Sequence, residues 1–63
     1  MIKIGDRVIV RIHCGAQFDG IVDYEPQATG DSWHIEEVDF AGNRTGIIHY
    51  VQTFAEIVKY PIV

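Results

Sequence analysis

Few side chains in this sequence could carry chemistry. Three histidines (His13, His34 and His49) and a single cysteine, Cys14, are the candidate metal ligands and the candidate nucleophile with its bases. None of them stands in a Cys-x-x-Cys, His-x-x-His or comparable spacing, so they do not read as a zinc set. His13 and Cys14 are adjacent, and adjacent side chains of an extended segment point to opposite sides. Adjacency is therefore no dyad, which needs a base at hydrogen-bond distance and a third group to orient it. Cys14, beside Gly15 in a loop, reads as an ordinary thiol. Glu36 and Glu37 face opposite ways on a strand and cannot share a proton as an acid–base pair does. The six glycines are scattered among turns and build no phosphate loop. These residues predict no metal, no cofactor and no catalytic group, and they favour a protein that is not an enzyme.

Rings are in better supply. Phe18, Tyr24, Trp33, Phe40, Tyr50 and Phe54 are many for so small a surface. Tyr24 and Trp33 flank the Pro26–Asp31 turn, with the acids Asp23, Glu25 and Asp31 close by. A patch of Tyr24, Trp33 and Tyr50 with acidic neighbours suits a proline-containing or a Lys/Arg-bearing peptide. Phe18 in the first loop and His49 beside Tyr50 complete the candidate ligand-binding set. The competing role for Trp33 and Phe40 is burial in the core or at a subunit interface.

The elements that must position these rings are strands. In Arg7–Ile12, Val8, Val10 and Ile12 share one face and Arg7, Ile9 and Arg11 the other, a period of two. His13–Asp19 reads as a loop and Gly20–Glu25 as a second strand, with Gly20 marking a bend or a close backbone approach. Pro26–Asp31 has strong turn chemistry. Ser32–Phe40 is a third strand whose apolar set changes face across Glu36-Glu37, which predicts a bulge there. Ala41-Gly42-Asn43-Arg44 is a hairpin turn. Thr45–Tyr50 is the fourth strand, Val51–Phe54 a single helical turn, and Ala55–Lys59 a short fifth strand with Ile57 inward. No window shows a helical apolar stripe. The expected fold is all-β: one domain over residues 1–63, a five-stranded SH3-like barrel with a helical turn before the last strand.

Size and charge bound the function. At 63 residues and 7.1 kDa there is room for one domain only. A core this small supplies about 3–5 kcal/mol and is usually supplemented by a disulfide, a metal or a partner subunit. One cysteine forms no internal disulfide, so the arithmetic points either to a very economical barrel or to an oligomer. The apolar tail Tyr60-Pro61-Ile62-Val63 would cover Ile2 and Ile4 or pack on another subunit. No lysine or arginine lies between Ile12 and Asn43, whereas Asp19, Asp23, Glu25, Asp31, Glu36, Glu37 and Asp39 all do. Such a surface repels a phosphate backbone and argues against nucleic acid as a partner. Met1-Ile2-Lys3-Ile4 runs straight into Gly5-Asp6-Arg7 with no secretion signal, no apolar run spans a bilayer, and the lone cysteine suits a reducing cytoplasm.

Gly5-Asp6-Arg7-Val8, Gly15-Ala16-Gln17-Phe18-Asp19-Gly20-Ile21-Val22, Ile47-Ile48-His49-Tyr50 and Ala55-Glu56-Ile57-Val58 together resemble one family in order and spacing. They are similar to the plasmid-borne, trimethoprim-insensitive dihydrofolate reductases. That resemblance implies an SH3-like barrel assembled as a homotetramer around a shared pore. In the family a Val-Gln-Ile-Tyr run contacts folate and nicotinamide cofactor; Tyr50 matches it, but Ile48 stands where Gln is needed. The family lysine that attracts anionic ligands falls on Val10. Neither Ile48 nor Val10 can do that work, so the resemblance carries fold and assembly further than activity. The expected function is a non-enzymatic interaction or assembly module, homo-oligomeric and cytoplasmic, binding a basic or proline-containing segment or its own copies. The alternative is an NADPH-dependent reductase with His49 and Tyr50 lining a pore.

Overall fold

The computed structural model describes residues 1–12 and 15–61. His13, Cys14, Ile62 and Val63 lie outside the described residues, and with them the expectations for the thiol and for the end of the tail. The chain is all-β, with five strands: β1 (Arg7–Arg11), β2 (Gln17–Tyr24), β3 (Trp33–Val38), β4 (Arg44–Val51) and β5 (Glu56–Lys59). They form one antiparallel sheet in the order β4-β3-β2-β1-β5. The strands at the two ends of that order, β4 and β5, share no ladder among the described residues. No helix among those residues is long and apolar enough to cross a membrane.

The inner face is built from β-branched side chains, which fit a pleated surface. Val8, Val10, Val22 and Ile35 are fully buried and Val51 nearly so; Ile2 and Ile57 pack against them. Val38 is buried too but lies outside that cluster, as expected if the apolar set of β3 changes face after Glu36. The register shift does fall between Glu36 and Val38, but the extra residues belong to β4. Glu36 pairs with Ile48 and Val38 with Arg44, so Thr45-Gly46-Ile47 lie opposite Glu37 alone. Gly46 takes φ +84° there, a conformation costly for any residue with a Cβ. The bulge's polar groups are satisfied locally: the Gly46 N–H donates to Glu36 Oε2 at 2.8 Å and the Thr45 hydroxyl to the Glu37 carbonyl at 2.8 Å.

Most strand ends differ from the sequence reading by a single residue, and three differences have a clear structural cause. β2 begins at Gln17, not Gly20, because Gln17, Phe18 and Asp19 pair with Arg11, Val10 and Ile9. Val51 still belongs to β4, and the expected helical turn is a tight turn over residues 52–55 closed by the Ala55 N–H on the Gln52 carbonyl at 3.0 Å. β3 ends at Val38 because Asp39 organises the hairpin. Its carboxylate Oδ1 accepts the N–H groups of Ala41 and Asn43 at 3.0 and 2.9 Å. At the other end of the chain, Tyr60 donates its N–H to the Arg7 carbonyl and places its ring 4.1 Å beneath the Arg7 guanidinium.

At Gly20 there is no room for a side chain between β2 and β3. A Cβ built there would collide with the Ile35 side chain and lie 2.8 Å from the Glu36 carbonyl oxygen. The oxygen is part of the ladder and cannot move aside. Gly20→Ala is therefore expected to destabilise the fold by about 1–3 kcal/mol, the range for overpacking. A lowered urea midpoint with an unchanged slope would report it; an unchanged midpoint would mean the two strands are less tightly apposed.

Candidate functional site

The five candidate residues divide between the two faces of the sheet. On the outer face, a second bulge decides the arrangement. Val22 pairs with Ile35 and Tyr24 with His34, leaving Asp23 extra. That extra residue turns Tyr24 to the face that carries His34, and His34 in turn pairs with Tyr50 on β4. The three rings form a row across three strands: Tyr24 and His34 are 4.6 Å apart at 32°, and His34 and Tyr50 meet edge to face at 4.7 Å. Trp33, expected beside Tyr24, packs against the inner core and pairs with Val51. The Tyr24–Trp33–Tyr50 patch is thus a Tyr24–His34–Tyr50 row with Trp33 on the opposite face.

The outer row is tied to its acidic neighbour. The Tyr24 hydroxyl donates to Asp31 Oδ2 at 2.9 Å, and the same oxygen accepts the Gln27 N–H at 2.9 Å. The Gln27 N–H bond first, and the Tyr24 bond after it, hold the Asp31 carboxyl below its usual range. The same hydrogen bond to Asp31 is the main reason the Tyr24 phenol is pushed up. Farther along this face Arg44 lies between Glu36 and Asp23, and its hydrogen bond to Glu36, then that to Asp23 at 2.9 Å, raises its pKa.

The inner face ends in an aromatic groove. Phe18 of β2 and His49 of β4 stack with ring centroids 4.0 Å apart and planes 24° from parallel. Their strands are not neighbours. His49 aligns through Ile35 with Val22, and Phe18 is four residues further along β2. At about 3.3 Å per residue and about 4.8 Å per strand, a flat sheet would hold the two backbones roughly 16 Å apart. The stack therefore requires the sheet to curl over its inner face. Where it curls, Phe18, His49 and Phe54 line an open cavity of about 540 Å³, with Tyr50 bordering it from β4 and Arg11 and Glu56 on its rim. Cavities of that size accept a small molecule or a few side chains of a partner.

Three of the charged or titratable groups lining the groove, His49, Arg11 and Glu56, are already engaged. His49 Nε2 lies 2.9 Å from Glu37 Oε1; an ionised carboxylate only accepts, so Nε2 donates. Arg11 and Glu56 pair at 3.4 Å. What remains facing the opening is largely ring surface, and Phe54 is 79% exposed. Phe54 is absent from the candidate set; its only signal was an aromatic residue in a turn between strands. Among the described residues no group of three His, Cys, Asp or Glu could hold a metal ion. The positions that matter to the reductase resemblance are separated: Val10 is buried in the core, Ile48 is partly exposed, and His49 and Tyr50 alternate across β4. No protein-family model matches this chain, and neither curated proteins nor solved structures give a significant match.

The Asp31 cluster has a defined pH response. A carboxyl depressed by folding contributes stability that is whole above the ordinary carboxylate range and is lost as pH falls through the depressed value. A phenol raised by folding contributes stability that is whole below the ordinary phenol range and is lost as pH rises through the raised value. Tyr24→Phe should move the Asp31 titration part of the way back up, the Gln27 N–H bond keeping the rest. The Asp31 carboxyl carbon shift against pH reads this directly; an unmoved titration would show that the hydroxyl contributes nothing.

Proposed function

We propose that this protein is a non-enzymatic interaction module, and that the groove between Phe18, His49, Tyr50 and Phe54 is where it holds an extended segment of a partner. The observation that carries the proposal is the convergence of two candidate rings, Phe18 and His49, with the exposed ring of Phe54 on one open cavity. Rings that line a shallow groove receive proline rings and aliphatic stems without needing directional chemistry. The polar groups beside them are bonded to each other, which suits a wall better than a reacting centre. Glu56 on the rim and a formal charge of −4 favour a segment that carries Lys or Arg beside its prolines. The partner is a basic or proline-containing segment of another protein, or another copy of this chain. The fold is the support: the curl of the sheet sets the groove's width.

A synthetic proline-rich peptide carrying one arginine is the probe. Added to isotope-labelled protein, it is expected to shift the amides of Phe18, His49, Tyr50 and Gln52. Phe54→Ala, an exposed position whose loss spares the core, should weaken binding by about 2 kcal/mol, roughly thirtyfold. Absence of shifts at the groove, or shifts confined to Tyr24 and His34, would contradict the assignment.

A further inference from the structure

The hairpin between β3 and β4 presents a feature that the fold itself does not use. Phe40 is fully exposed, at 102% of its reference area, so nothing among the described residues covers its ring. Nor does it sit on a loose loop. Asp39 Oδ1 holds the N–H groups of Ala41 and Asn43, the Asp39 N–H donates to the Asn43 carbonyl at 2.9 Å, and the Gly42 N–H to the Asp39 carbonyl at 2.9 Å. An aromatic ring on a turn fixed by four hydrogen bonds is pre-organised as an anchor, since little freedom remains to be lost when it docks. Single buried aromatics of this kind dominate small interfaces.

The same molecule carries a receptor for it. The aromatic groove is open, and its cavity of about 540 Å³ has room for a phenyl ring and its flanking backbone. Phe40 and the groove lie at opposite ends of β4: the hairpin enters the strand at Arg44, while the groove is lined from His49 onward. His49 lies five residues beyond Arg44, and Phe40 is left fully exposed, so the ring serves a groove other than its own. The rim carries a cation as well as the anion Glu56: Asp39, exposed beside Phe40, would meet Arg11, whose pairing with Glu56 is long at 3.4 Å and half exposed.

We propose that the groove receives Phe40 of a second copy of this chain, so that copies associate head to tail. The inference rests on the groove being a binding site and adds the identity of one occupant. A head-to-tail contact is heterologous: it closes into a ring if the rotation allows and otherwise extends as a chain. One aromatic anchor with its neighbours makes a contact at the small end of specific interfaces, so assembly rises with concentration.

Two variants at exposed positions test this without disturbing the core. Phe40→Asp removes the anchor and leaves the groove; Phe54→Asp spoils the groove and leaves the anchor. By light scattering, the full chain should grow in mass with concentration and each variant alone should stay at 7.1 kDa. Mixed, the two variants should form a one-to-one pair and no more, because only one productive contact is left between them. Assembly of either variant alone to the extent of the unaltered chain, a mixture that stays monomeric, or an unaltered chain that stays monomeric at millimolar concentration would overturn the proposal. The proline-rich peptide separates the two levels. Phe40→Asp that binds the peptide at the groove but forms no mixed pair sinks self-docking alone; Phe40→Asp that does neither sinks the groove as a binding site as well.

Discussion

Two rings on strands that are not neighbours stack 4.0 Å apart, and the rest of the molecule is arranged around that contact. Phe18 and His49 can meet only if β2 and β4 curl towards each other over the inner face, and the curl needs room at the place where β2 crosses β3. Gly20 provides it, with backbone of β3 where a Cβ would otherwise stand. The core valines and Ile35 then fill the concave side. The groove is what remains at the end of the sheet where Phe18 and His49 meet beside the 52–55 turn. Local geometry, sheet shape and candidate site are in this sense one constraint expressed at three scales.

The charge pattern is resolved by the same topology. The cations lie outside the acidic middle of the sequence, yet the antiparallel order brings several of them onto it. Arg7 reaches Asp19, and Arg44 reaches Asp23 and Glu36. Arg7 and Arg44 both remain partly exposed, so these pairs add little individually to stability. Their larger effect is on partner choice. They neutralise part of the outer face and leave Asp31 and Glu25 beside the Tyr24–His34–Tyr50 row, while the groove keeps one cation and one anion on its rim.

Much of this was legible in the residues. Period two marked the five strands, and the change of face after Glu36 marked the irregularity in the β3–β4 ladder, although the extra residues sit at Gly46 on the other strand. Sequence alternation reports which residues share a face only while the ladder is regular. At Asp23 it is not, and nothing in Val22-Asp23-Tyr24 announces the extra residue that swings Tyr24 beside His34. Trp33 was placed near Tyr24 because a turn separates them in sequence; side chains on opposite faces stay apart however short the turn. The Phe18–His49 stack depends on curvature, which summed small twists produce and no local motif encodes. Phe54 and Phe40 escaped the candidate set for the same reason: their importance lies in being uncovered, and exposure is a property of the finished surface.

The central claim is that the sheet curls far enough for β2 and β4 to touch across β3. Proton–proton cross-relaxation between the Phe18 and His49 rings in the labelled protein tests it most directly. Strong ring-to-ring cross-peaks, alongside those expected for the Val22–Ile35–His49 ladder, are the predicted result. Ladder cross-peaks without any between the two rings would describe a flatter sheet, one with no groove to hold a partner.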